Sequence, residues 1–184
     1  RAYSIATVPG GNRIGLLVDV APGGLGSKFF LKLKVGEIVE VLGPLGRFVV
    51  PPSARASEGL LFVATGSGIA PTKPMVESLL QNKVNDRSLY LVWGMRFEKD
   101  VFWQEEFKEL EREYKNFQFD LVLSKPDEKW LGEKGHVVDV LEKIISWKNT
   151  DIYVCGGSKM VEETKSWLLS KGVEKGNIHF ENYG

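Results

Sequence analysis

The run Leu60-Leu61-Phe62-Val63-Ala64 passes directly into Thr65-Gly66-Ser67-Gly68 and then Ile69-Ala70-Pro71. An unbroken apolar pentapeptide of this kind reads as a strand buried on both faces, as in a parallel sheet covered by helices. The glycines permit a tight turn. Pro71 opens a helical pattern, because a first-turn proline has no N–H to lose there. Strand, glycine turn and helix start together make an anion site: the backbone can approach closely, and the helix contributes unpaired N–H groups and a positive dipole end. Glycine turns also serve as plain connectors, so the meaning of this one depends on three other segments.

Alternation of strand and helix continues after it. Strands are expected at Leu60–Ala64, Ser88–Trp93, Phe117–Leu123, Asp151–Cys155 and Asn177–Phe180, with helices at Thr72–Leu80, Val101–Tyr114, Val137–Ile145 and Lys159–Leu169. Trp103, Phe107, Leu110 and Tyr114 recur on one helical face. Such alternation predicts a Rossmann-like α/β domain over residues 59–184, with a five-stranded parallel sheet and ligands beyond the carboxyl ends of its strands. Residues 1–50 have another texture. Short β-type runs (Ala2–Thr7, Leu16–Val20, Ile38–Leu42, Arg47–Val50) are broken by Gly and Pro, and Ser27 is a candidate cap for a helix reaching Leu33. This predicts an antiparallel β domain. Residues 51–58, led by Pro51-Pro52, form the linker.

Composition narrows the function classes. With 24 basic and 24 acidic residues the formal charge is zero, so no global field favours nucleic acid or a membrane surface. No apolar run reaches membrane-spanning length. Cys155 is the single cysteine, which excludes an internal disulfide or an all-cysteine iron–sulfur cluster within these residues. A cytoplasmic location is expected, and no metal site is read.

Four segments carry candidate chemistry. Arg1-Ala2-Tyr3-Ser4 starts a strand, placing Arg1 and Tyr3 on one face and Ser4 on the other. It supplies a guanidinium for phosphate, a flat ring and a hydroxyl, or else an ordinary exposed strand. Gly24-Leu25-Gly26-Ser27 is either a phosphate loop or a simple turn with a cap. Tyr153-Val154-Cys155-Gly156-Gly157 repeats the strand-into-glycine pattern and puts Cys155 at a strand's carboxyl end. Phe180-Glu181-Asn182-Tyr183 closes the last strand with an aromatic that could cover a flat cofactor.

Taken together these segments resemble the ferredoxin–NADP reductase superfamily. Arg1 to Ser4 is similar to its Arg-x-Tyr-Ser flavin motif and Gly24 to Ser27 to its Gly-x-x-Ser pyrophosphate motif. Gly66-Ser67-Gly68-Ile69-Ala70-Pro71 resembles its nicotinamide motif, with Ser67 in place of Thr. Cys155-Gly156-Gly157 and Glu181-Asn182-Tyr183 match its last two signatures. The resemblance implies a flavin-binding β-barrel over residues 1–50, truncated because the family's first barrel strands precede the Arg motif. It also implies a flavoprotein reductase that moves a hydride from NAD(P)H to FAD and passes electrons to a separate acceptor domain or protein. The alternative is a flavin- and nucleotide-binding subunit of a larger redox complex without turnover of its own.

By the same resemblance Ser4, Cys155, Glu181 and Tyr183 are the catalytic candidates. Arg1, Ala2, Tyr3, Ser4, Leu17, Val18 and Gly24 to Ser27 would bind the flavin. Gly66 to Pro71, Cys155, Gly156, Gly157, Met160 and Tyr183 would serve the nicotinamide side. Asp19 stands where many relatives carry a basic residue. Arg96, Ser124 and Lys125 lie beyond the second and third strands and are candidate contacts for a 2′-phosphate, which favours NADPH over NADH.

Overall fold

The computed structural model describes residues 2–51, 57–82, 86–144 and 149–183. Its centre is a parallel sheet of β1 (Gly59–Thr65), β2 (Ser88–Met95), β3 (Phe117–Leu123), β4 (Glu133–Lys134), β5 (Thr150–Gly157) and β6 (Ile178–Tyr183), in the order β4-β3-β2-β1-β5-β6. The sheet therefore has six strands rather than five. The additional strand is the two-residue β4, which pairs with Val122 and Leu123 and is too short to show an apolar alternation. The other five coincide with the expected runs to within three residues at each end.

The helices are α1 (Leu25–Lys32), α2 (Ile69–Gln81), α3 (Gln104–Glu113), α4 (Val137–Leu141) and α5 (Ser158–Ser170). α2 begins at Ile69, three residues before the expected Thr72, and α4 ends at Leu141, short of the expected Ile145, which lies outside the described residues. Two others differ for local reasons. α3 begins three residues late because Trp103 adopts a left-handed φ of 57° and interrupts the helical path. α1 starts at Leu25, capped by Gly24, so Ser27 lies inside the helix. The Ser27 hydroxyl donates to the Asp19 carbonyl instead, at 3.5 Å.

β1 is central and buried along nearly its whole length, which accounts for its continuous apolar sequence. One face of the sheet (Leu60, Phe62, Ala64, Leu91, Trp93, Tyr153) packs against α2, α3 and Leu17, Phe48 and Val50 of the N-terminal segment. The opposite face (Leu61, Val63, Val92, Val154) packs against α4 and α5. Within residues 2–50 the regular structure consists of α1 and one antiparallel bridge, Ile5 to Leu16, reinforced by the Ala6 N–H donating to the Gly15 carbonyl at 2.8 Å. The runs Ile38–Leu42 and Arg47–Val50 form no strands. Ile38 and Leu42 are 97% and 89% exposed, and a β run without a neighbouring strand has no ladder to join. Of the linker, residues 52–56 lie outside the described residues.

Candidate active site

The carboxyl ends of β1, β2 and β5 converge, and sequence explains how closely. At Gly66 the chain leaves β1 with a left-handed φ of 54°, turns through a short 3-10 segment (Gly66–Gly68) and enters α2. Gly68 then lies against the end of β5: a Cβ there would sit 2.2 Å from the Cys155 carbonyl oxygen. A Cβ on Gly156 would sit 2.3 Å from Thr65 Oγ1. These two glycines let the two turns touch. Gly24, Gly66 and Gly157 differ, since a Cβ on any of them would meet open space.

A cleft of about 860 Å³ opens above these strand ends. Gly66, Ser67, Arg96, Ser124 and Met160 border it from the α/β side, and Leu17, Val18 and Asp19 from the N-terminal segment. Two backbone bonds fasten the loops after β2 and β3 together: Ser124 N–H donates to the Met95 carbonyl at 3.0 Å, and Lys125 N–H to the Arg96 carbonyl at 2.9 Å. Arg96, which borders the cleft, and Lys125 are thereby neighbours. Asp100, Phe102, His136, Glu163 and Thr164 also border the cleft and escaped the sequence reading. Thr164 was legible in principle, one helical turn from Met160 on the same face of α5.

The four catalytic candidates meet. Pairing of β5 with β6 sets Cys155 beside Glu181 and Gly157 beside Tyr183. Alternation along a strand turns Glu181 and Tyr183 to one face. There the Tyr183 hydroxyl donates to Ser4 Oγ at 2.5 Å, and Ser4 Oγ donates to Glu181 Oε2 at 3.4 Å. The Cys155 thiol is within hydrogen-bonding reach of the Tyr183 hydroxyl. Cys155 is fully buried, and burial, with the Glu181 charge second, pushes its thiol up to about 12. It stays a neutral S–H at physiological pH. Burial also raises the Glu181 carboxyl above the ordinary glutamate range, opposed by its bond from Ser4. The Tyr183 phenol is raised as well, again chiefly by burial.

The remaining candidates are more dispersed. Tyr3 packs its ring edge-on to Phe30 of α1, with centroids 5.0 Å apart. Ala2 is exposed, and Arg1 lies outside the described residues. Gly24 and Leu25 are exposed at the start of α1. Gly68, Ile69, Ala70 and Pro71 are buried beneath the turn, where they fix α2 against the sheet. Gly156 is buried while Gly157 is exposed.

Residues 62–166 match the oxidoreductase NAD-binding domain family, and residues 1–50 match the oxidoreductase FAD-binding domain family. A protein described as ferredoxin–NADP reductase B from Sorangium cellulosum is 31% identical over 192 residues, covering all of this chain and 78% of the relative. A toluate 1,2-dioxygenase electron transfer component from Pseudomonas putida is 30% identical over 185 residues; the chain spans 54% of its length. Among solved structures, an Amycolatopsis cytochrome P450 reductase superposes with a TM-score of 0.87 at 28% identity, over 98% of this chain and 55% of that one. The FAD/NAD-binding domain of a Vibrio cholerae nitric oxide dioxygenase gives the same TM-score at 22% identity, over 100% and 77%, which speaks to the fold. Among the described residues no helix is long and apolar enough to cross a membrane. The chain belongs to the ferredoxin reductase-like superfamily of FAD- and NAD(P)-dependent oxidoreductases.

Proposed function

We propose that this chain binds FAD and NAD(P)H on either side of the cleft, moves a hydride between them, and hands the electrons to a separate acceptor protein or domain. The single observation that carries this reading is the contact between Ser4 and Tyr183, 179 residues apart, at 2.5 Å beside the glycine turns of β1 and β5. It joins the FAD-binding segment to the NAD-binding domain where two flat rings would have to meet.

The residues present suit a flavin. α1 opens at Gly24 without a side-chain cap, leaving its first-turn N–H groups for the pyrophosphate, and a Cβ on Gly24 would meet nothing. Residues 1–50 are assigned as part of the flavin-binding barrel, with Tyr3, Leu17, Val18 and Gly24 to Ser27 on the flavin side. Bound flavin supplies the hydride acceptor and the electron store.

The chain's own groups hold that chemistry in place. Ser4 presents a hydroxyl already fixed between an acceptor carboxylate and a donor phenol. Glu181, reached through Ser4, is the group that can take or return a proton there. Cys155, buried and neutral beneath that contact, adds no charge to it. Tyr183 covers the flavin side. It is released by breaking its hydrogen bond to Ser4, a net cost of about 0.5–1.5 kcal/mol, so reduced nicotinamide can displace it. Gly66, Ser67, Gly156 and Gly157 let the dinucleotide lie against backbone, and burying both rings excludes water from the transfer. Arg96 at the cleft and Lys125 beside it favour NADPH.

The relatives named as electron transfer component and P450 reductase support an acceptor protein of the oxygenase kind. The test is spectroscopic: purified protein supplied with FAD should be yellow and should bleach on adding NADPH under argon. A protein that retains no flavin, or flavin that NADPH and NADH both leave oxidised, would refute the reading.

A further inference from the structure

We propose that Trp93 is a positioning residue for the dinucleotide: its indole N–H holds the Gly66 carbonyl inward, and so turns the Ser67 N–H outward to receive a phosphate oxygen. The inference rests on the dinucleotide reading of the cleft. Trp93 lies on β2 beneath the glycine turn and is fully buried. Its Nε1–H donates to the Gly66 carbonyl at 3.1 Å. The same carbonyl accepts the Ile69 N–H from the start of α2. Both lone pairs of that oxygen are therefore engaged from the protein interior.

Peptide planarity does the rest. The carbonyl of Gly66 and the N–H of Ser67 belong to one trans peptide and point in opposite directions. A carbonyl fixed toward buried Trp93 leaves the N–H directed at the cleft that Gly66 and Ser67 border. The arrangement needs a residue able to hold a left-handed φ, and Gly66 holds 54°. Freed of the indole, the 66–67 peptide has one interior bond instead of two and can rotate its N–H away.

The indole is itself held from behind. Its ring meets Phe102 edge-on at 4.9 Å and Phe107 at 6.2 Å. Phe102 borders the cleft and packs on Trp103 at 5.0 Å. Lys73 of α2 sits 5.1 Å over the Trp103 ring and bridges to Glu77 and Glu106. The donor is thus locked in rotation by packing on its own side of the sheet, which a hydrogen bond meant to orient a peptide requires.

Calorimetric titration of NADP+ and NAD+ into the full chain tests this, with thermal melts alongside, for wild type, Trp93→Phe and Phe119→Leu. Trp93→Phe keeps a ring in the cluster and removes the donor. Phe119→Leu loosens the same cluster through Phe107 (5.1 Å from Phe119), away from Gly66. The expected result is a Kd about tenfold weaker in Trp93→Phe, the scale of one buried hydrogen bond, with Phe119→Leu within about twofold of wild type even at an equal loss of melting temperature. Equal weakening in both variants, or none in Trp93→Phe, overturns the positioning role while leaving the cleft reading intact. Wild type that binds neither nucleotide overturns the cleft reading and this inference with it. Should Trp93→Phe not fold, the wild-type indole N–H resonance decides: slow exchange with solvent and a shift on adding NADP+ support the role, and free exchange overturns it.

Discussion

Two glycines in the candidate site should respond oppositely to the same substitution. In Gly68→Ala the new methyl carbon would lie 2.2 Å from the Cys155 carbonyl oxygen, 2.6 Å from its carbonyl carbon and 2.9 Å from Gly156 Cα. All three atoms are main chain of β5, which is laddered to β1 on one side and β6 on the other. No side chain can swing aside. The turn must lift by roughly 1 Å to restore ordinary contact, which sets the cost at the upper end of overpacking, about 3 kcal/mol. For a domain of this size that is a fall in melting temperature of roughly 6–12 °C. Gly157 is the counterpart. Its φ of −63° and ψ of 143° suit any residue, and nothing lies within 4 Å of an added Cβ. Gly157→Ala should melt close to wild type, since alanine's restriction of the unfolded chain, about 0.4–1 kcal/mol, is offset by its poor fit at the N-cap of α5. Its methyl would occupy the space through which the dinucleotide reaches the backbone, so NADP+ binding should weaken about tenfold. Melts followed by circular dichroism, paired with titration calorimetry, separate the two effects. A Gly68→Ala protein melting within about 2 °C of wild type, or a Gly157→Ala protein binding NADP+ normally, would show that the two positions do not divide packing from ligand approach.

Three further outcomes are expected. The Tyr153 hydroxyl is buried without a hydrogen-bond partner among the described residues, and burial has pushed it up to about 12, with the Asp151 charge second. Tyr153→Phe should therefore leave the denaturation midpoint unchanged or raise stability by up to about 1 kcal/mol, and a clear loss would reveal a partner. Glu181 has a raised native carboxyl pKa, so the folded state binds its proton more tightly than the unfolded chain. The stability this gives is complete below the unfolded value near 4.3 and is lost as pH rises through the native one. Against Glu181→Gln, wild type should consequently lose ground in paired urea melts as pH rises above the unfolded value and through the raised native one, and a constant gap would mean that burial does not act on this carboxyl. Arg96→Ala should lower kcat/KM for NADPH about tenfold, as expected for one lost charge-assisted contact, while NADH turnover stays near wild type; equal loss for both coenzymes would remove Arg96 from 2′-phosphate recognition.

What the sequence made legible was what depends on near neighbours in the chain. β1 stood out because a parallel strand buried on both faces needs continuous apolar side chains, and Gly68 and Gly156 stood out because only glycine fits their close approach. Features decided by distant neighbours did not show. β4 consists of two residues that pair only because β3 is already in place. The β-type runs of residues 1–50 carry strand propensity, yet propensity forms no ladder where no strand lies alongside. The late start of α3 turns on one left-handed φ at Trp103, a residue that nothing in the pattern marks for it. The same division runs through the site. Ser4 and Tyr183 were each recognisable as parts of motifs, but their hydrogen bond follows from where the N-terminal segment rests on β6. Trp93 read simply as the end of an apolar strand. Its role as a donor appears only once the β1–β2 register, which pairs Ala64 with Trp93, brings the indole beneath the turn. A strand slipped by one residue would turn that indole to the opposite face of the sheet. The orientation of the Ser67 N–H is therefore set by a pairing between segments nearly thirty residues apart, and the glycines allow that orientation without dictating it.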